Sequence, residues 1–318
     1  MKLTFTPRIK FIFLLTVCFG LGVESLLPKP NMENTTGTET SRSVSFKTVM
    51  PSSFRSTHPN VIQDSTFSLS PFFEKLSILQ NPGDSVKPVV RVVHIGDSHV
   101  RSHEFTPALD SRLAEVFGNA ATEIVNGYKS PGILDENGSP GIICHCIGIN
   151  GATSENFLND SSMTEIQQLH PDLIIISLGT NESFGSYDPA SHYAMMENLY
   201  SMLKSYCPEI PILYTTPPGA YKTIYRSYRK RRRTYRRVVR VEECRNTGKA
   251  ASTIAAFAAA HHAACWDLFN IVGGEKYACK NWLSGAYFQR DKVHFVKDGY
   301  ALQGNLLYEA IISEYNNE

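Results

Sequence analysis

From Val89 onward the chain alternates short apolar runs with stretches whose apolar residues recur at helical spacing. Val89–Ile95, Gly141–Gly148, Asp172–Leu178 and Ile210–Thr215 are near-continuous runs of Val, Ile, Leu and Cys, the pattern of strands buried on both faces. Between them, Phe105, Leu109, Leu113 and Val116 set one apolar stripe on a helix over Glu104–Phe117. Further helices are expected from about Ala190 to Cys207 and, in Ala-rich sequence, from about Thr247 to Cys265. This alternation predicts an α/β fold whose central parallel sheet is covered by helices on both faces.

Upstream the pattern changes. Lys2, Arg8 and Lys10 precede an apolar run from Phe11 to Val23, with Gly20, Gly22 and Ser25 near its end. Residues 1–25 therefore read as an export signal, and the run is short of the ~20 apolar residues a membrane span needs. Secretion or a periplasmic location follows, with no integral span once the signal is cleaved. Residues 26–70, rich in Ser, Thr, Pro and Asn and without periodicity, are expected to form a tether or loosely ordered arm. The folded domain is then expected over 71–318.

Composition narrows the possibilities only in places. With 318 residues, 42% of them hydrophobic, there is material for one sizeable core. The 31 Lys and Arg balance 30 Asp and Glu, so no global field draws the whole protein to a polyanion. Once Cys18 leaves with the signal, Cys144, Cys146, Cys207, Cys244, Cys265 and Cys279 remain, an even number that permits disulfides without fixing a pairing. Cys144-His145-Cys146 lacks a second ligand pair, and strand alternation sends its imidazole away from its thiols, so neither a metal nor any other cofactor is expected.

The candidate chemistry sits behind the apolar runs. Gly96-Asp97-Ser98-His99 follows the first strand, Asn150-Gly151-Ala152 the second and Gly179-Thr180-Asn181-Glu182 the third, with Asp291-Lys292-Val293-His294 near the end. In open α/β sheets, ligands bind beyond the carboxyl ends of strands. Taken singly, each motif has a plainer explanation: Ser98 or Asn181 as a helix cap, Gly151 as a positive-φ turn, His294 as a surface histidine.

Together, in this order and spacing, they resemble the SGNH hydrolase superfamily, the GDSL esterases. The resemblance implies a three-layer α/β/α, flavodoxin-like fold and a serine esterase. It makes Ser98 the nucleophile, His294 the base and Asp291 its partner, and it assigns the oxyanion hole to the N–H groups of Ser98 and Gly151 and the amide of Asn181. His99 stands where the name-giving motif has Leu, and Glu182 where many members carry Asp. The strings HPDLIIISLGTNESFG, TPPGAY and NWLSGAYFQRDKVHF are similar to exported esterases of Bacteroidetes that resemble peptidoglycan O-acetylesterases. That likeness implies an acylated glycan as substrate, with O-acetyl as the group removed. His99, Glu182, Arg232 and Tyr287 are then candidate substrate-binding residues, and Trp266, Trp282 and Phe288 candidates for a sugar-facing wall. A lipase or lysophospholipase, an acyltransferase and a non-catalytic glycan binder are the alternatives.

One stretch stands apart. IYRSYRKRRRTYRRVVR, residues 224–240, holds nine Lys or Arg in seventeen positions. Export argues against nucleic acid as its partner. A solvated loop or helix near the cleft, in contact with the cell wall or another anionic surface, is expected instead.

Overall fold

The computed structural model describes residues 49–81, 83, 86–122 and 132–318, all of which fall in one unit, 42–318. Residues 1–25, read from sequence as an export signal, and the first half of the expected 26–70 arm lie outside the described residues. In chain order the elements are α1 (Ser70–Gln80), β1 (Val89–Gly96), α2 (Ser98–Arg101), α3 (Phe105–Phe117), β2 (Gly141–Gly148), α4 (Asp160–Gln168), β3 (Leu173–Ser177), α5 (Pro189–Tyr206), β4 (Ile212–Thr215), β5 (Tyr221–Lys230), β6 (Arg233–Glu243), α6 (Asn246–Ala260), β7 (Ala264–Trp266), α7 (Leu268–Ile271), α8 (Gly274–Ser284) and α9 (Lys297–Asn317).

Five strands form a parallel sheet in the order β2-β1-β3-β4-β7. Strand alternation divides its side chains between two cores. Val92, Leu173, Ile175 and Leu213 pack with α1, α3, α8 and α9 on one face, while Val93, Ile174, Ile176 and Ile212 pack with α4, α5 and α6 on the other. The α/β/α, flavodoxin-like fold is thus the observed one, with β1 and β3 at the point where strand order reverses. Among the described residues, no helix is long and apolar enough to cross a membrane.

Three expectations are corrected. The Ala-rich helix ends at Ala260 rather than running to Cys265; His262 takes a positive φ of 52°, and the next residues become β7, too short to show a period of two. Residues 49–70 are no loose arm. Phe54 is buried edge-on to Trp282, their centroids 5.3 Å apart; Asn60 Oδ1 accepts from Trp266 Nε1 at 2.9 Å; Gln63 exchanges backbone bonds with Cys265. Each apolar anchor in this polar stretch enters the core separately, so no periodicity announces it.

The basic stretch, expected as a loop or helix, is the antiparallel hairpin β5–β6. Its turn residues Arg231 and Arg232 have φ of 47° and 64°, the left-handed pair that matches strand twist in a two-residue turn. Among the described residues, all six cysteines are free and buried. Burial pushes the thiols of Cys146, Cys265 and Cys279 up to about 12, so they pack as small apolar side chains.

Gly96 ends β1 under tight constraint. A Cβ there would stand 2.4 Å from Val100 Cγ2 and 2.6 Å from the Ser177 carbonyl oxygen. Gly96→Ala is therefore expected to cost about 2 kcal/mol of stability, read as a lower urea midpoint at unchanged m-value.

Candidate active site

Ser98, His294 and Asp291 are joined by short hydrogen bonds. Gly96 lets the chain turn sharply out of β1, and Ser98 opens α2, where the Asp97 carboxylate accepts the His99 N–H at 2.8 Å. The Ser98 Oγ lies 2.8 Å from His294 Nε2, and His294 Nδ1 lies 2.7 Å from Asp291 Oδ2. With Nδ1–H donating to the carboxylate, Nε2 is the acceptor facing the hydroxyl.

Asp291 is fixed by its own loop. Its Oδ1 accepts from the Val293 and His294 N–H groups at 2.9 and 3.0 Å. Partial burial would raise this carboxyl, but the His294 ring and these two N–H groups outweigh it and hold the pKa below the ordinary carboxylate value. The loop is pinned where Phe288 pairs with Phe295, whose ring is fully buried against Trp282 and Tyr300. The side chains of His294 and Asp291 remain 35% and 48% exposed. The site is therefore open.

The other two strand ends meet beside it. Gly151 has φ of 73°, which its lack of a Cβ permits, and it is exposed. Among the described residues, neither the Gly151 nor the Ser98 N–H has a protein acceptor; the first N–H of a helix has none within it. Asn181 Nδ2 donates to Asp97 Oδ2 at 3.1 Å and to the Ala152 carbonyl oxygen at 2.9 Å. Both protons of that amide are in use. Asp97, only 1% exposed, is the residue sequence reasoning passed over. Burial pushes its carboxyl up to about 7, against the opposing pull of the His99 N–H and the His294 charge. Its place inside the Gly-Asp-Ser motif was the available signal.

Residues 95–302 match the model of the GDSL-like lipase/acylhydrolase family. The chain belongs to this family. It is accordingly a carboxylic ester hydrolase. Among solved structures, this acylhydrolase is similar to a peptidoglycan O-acetylesterase at 19% identity, with TM-score 0.64 and coverage of 81% of this chain and 99% of that one. A lipolytic G-D-S-L family protein from Veillonella parvula is also similar, at 12% identity, TM-score 0.42 and coverage of 69% and 97%. A comparison with curated proteins returns no match.

The four candidate substrate-binding residues of the acylhydrolase have the following surroundings. His99 is buried, its Nδ1 3.1 Å from the Tyr300 hydroxyl and its ring 5.6 Å from that of His294; it is the floor beneath the histidine. Glu182 accepts the Ser154 N–H at 3.0 Å and the Gly179 N–H at 2.9 Å, stapling the Gly151 loop to the Asn181 loop. Arg232 lies in the hairpin turn, about 30 Å along β5 from its base at ~3.3 Å per residue. Tyr287 packs its ring against Phe54 and Trp282. Nor do the tryptophans form a sugar-facing wall: Trp266 and Trp282 are fully buried, the latter donating to the Pro218 carbonyl oxygen at 2.9 Å, and Phe288 is buried too.

Four buried histidines oppose protonation in the folded state. Burial pushes His94 down to about 3, with Thr106 and Ser177 on its two nitrogens. Burial and then the His294 charge push His99 to about 3, while burial pushes His145 and His192 to about 4. A folded-state pKa below the unfolded value means that the unfolded chain takes protons first, so stability falls as pH drops from 6.5 toward these values. Asp97 and Glu182, pushed to about 7, and Asp110, pushed to about 6, act oppositely, losing stability as pH rises to those values. Among the groups with large shifts, these four histidines outnumber the three carboxyls and are together displaced farther. The urea midpoint is therefore expected to fall between about pH 6.5 and about pH 4.

Proposed function

We propose that this acylhydrolase is an exported serine esterase that removes a short acyl group, O-acetyl above all, from a glycan hydroxyl. The observation that carries the reading is the unbroken line from Asp291 through His294 to the Ser98 hydroxyl at 2.7 and 2.8 Å. His294 Nε2 takes the hydroxyl proton as Ser98 Oγ bonds to the ester carbonyl carbon, and Asp291 stabilises the imidazolium so formed. The carbonyl π pair moves to oxygen, toward the Ser98 and Gly151 N–H groups. Asn181 joins them by trading its longer bond, the one to Asp97, for the oxyanion.

Collapse expels the sugar oxygen, which takes the proton from Nε2 and leaves an acyl-Ser98. Water then repeats the sequence, with His294 as its base, and releases the acid and free Ser98.

The exposure of His294 and Asp291 suits an ester carried on a bulky polymer better than a long acyl chain, which would need an apolar groove. The similarly folded peptidoglycan O-acetylesterase makes peptidoglycan the first glycan to try. The amino-terminal pattern supports export to where such polymers lie. Acetate release from O-acetylated peptidoglycan and from acetylated xylan, beside short and long p-nitrophenyl esters, tests the reading. Ser98-dependent acetate release sustains it; a preference for long acyl chains moves the enzyme to the lipases, and turnover indifferent to Ser98→Ala removes the triad.

A further inference from the structure

The acyl-transfer chemistry leaves the β5–β6 hairpin unused. From Tyr225 through Val241 every residue is exposed. Its cross-strand register pairs Arg226 with Arg237, Tyr228 with Tyr235, and Lys230 with Arg233. These pairs are two residues apart along each strand, so all six side chains share one face. On it two cation pairs flank a stacked tyrosine pair, their centroids 5.6 Å apart and their rings 20° from parallel. The opposite face carries Arg236 over the Tyr225 ring at 5.3 Å.

Like charges directly opposite one another destabilise a ladder. Among the described residues, the ion pairs of the hairpin are those of Lys222 and Arg240 with Glu242, near its base. Among the described residues, no carboxylate pairs with the distal cations to offset their repulsion. An external polyanion does so, and the register spaces its charges along a strip about 30 Å long.

The base of the strip meets the triad loop. The Tyr221 N–H donates to the Lys292 carbonyl oxygen at 2.9 Å, and Lys292 Nζ lies 5.3 Å from the centre of the Tyr221 ring; Lys292 stands between Asp291 and His294. A polymer with one residue at Ser98 can therefore continue along the hairpin.

We propose that the β5–β6 hairpin is a docking arm for an anionic polysaccharide, the cations taking its acidic groups and the Tyr228–Tyr235 face its sugar rings. This rests on the glycan-esterase reading above. The turn, Lys230 to Arg233, has no apolar side chain to insert into a bilayer. Nucleic acid matches the Arg and Tyr chemistry but offers the neighbouring site no acyl ester.

The test is binding of the full exported chain to polygalacturonate, dextran and phosphatidylglycerol vesicles across a salt series. The expected result is binding to polygalacturonate that weakens with salt, and none to dextran. Replacing Arg226, Lys230, Arg233 and Arg237 together by Ser is expected to raise the Kd for polygalacturonate about 30-fold, with the melting curve confirming a folded variant. Equal affinity for dextran, no binding by the native chain, an unchanged Kd in a folded variant, or binding to the vesicles alone would each overturn the proposal. The native chain's salt dependence and polymer preference decide it even if the variant does not fold. Turnover of p-nitrophenyl acetate by the native chain and by Ser98→Ala, measured alongside, separates failure of the docking arm from failure of the esterase reading.

Discussion

Ser98→Ala is expected to lower kcat for p-nitrophenyl acetate by about 10⁵-fold while the urea midpoint hardly moves. The hydroxyl is half-exposed at the first turn of a four-residue helix, and among the described residues its hydrogen-bond partner is His294 Nε2. Its removal takes away the nucleophile without opening a cavity. His294→Ala is expected to fall to a similar level, because an unassisted serine hydroxyl is a poor nucleophile. The two side chains act as a unit, so the double variant should be no slower than either single one. Single-turnover kinetics on the three variants checks this. Additive losses would mean that Ser98 and His294 serve separate steps and that their 2.8 Å contact is incidental.

Asn181→Ala is expected to reduce kcat about 100- to 1000-fold with little change in KM, the usual consequence of losing one oxyanion donor. The structure makes this a sharp test, because the Asn181 amide already bridges Asp97 and Ala152. If that bridge were its whole purpose, the variant would lose stability, with the Asp97 carboxylate left short of a donor in a buried site, and kcat would drop only in proportion to unfolding. Steady-state kinetics and urea melts on the same preparation separate the two. A large kcat effect in a well-folded variant would place the amide on the oxyanion, and the Asp97 bond would then be the resting position from which it is drawn.

Strands β1 to β4, helices α3, α5 and α6 and the positions of the four motifs were legible because each is a local pattern. Val92 and Val93 face opposite cores, so β1 shows as an unbroken apolar run, and Gly96-Asp97-Ser98 marks its end. The resemblance to esterases rested on those same short blocks, which survive where overall identity is low. What stayed hidden has a common origin. The contacts of His99, Glu182 and Tyr287 with Tyr300, Ser154 and Phe54 join segments far apart along the chain, so nothing in their local sequence announces them. Arg232 belongs to a charged stretch whose extended form depends on pairing with a second strand. Residues 49–70 lack periodicity because each anchor finds its own pocket on an existing surface.

The sequence by itself determined β1 to β4, the helices α3, α5 and α6, the exits from those strands and the chemical types at each exit. Only the tertiary structure decided that β1 and β3 lie side by side with β2 on the outer flank, which brings Ser98, Gly151 and Asn181 together and lets a loop 196 residues beyond Ser98 place its imidazole on that hydroxyl. Hydrophobic period is a property of neighbours along the chain, whereas strand order and the staples made by Asp97 and Glu182 arise from contacts between distant segments, whose partners are chosen when both faces of the sheet are buried at once.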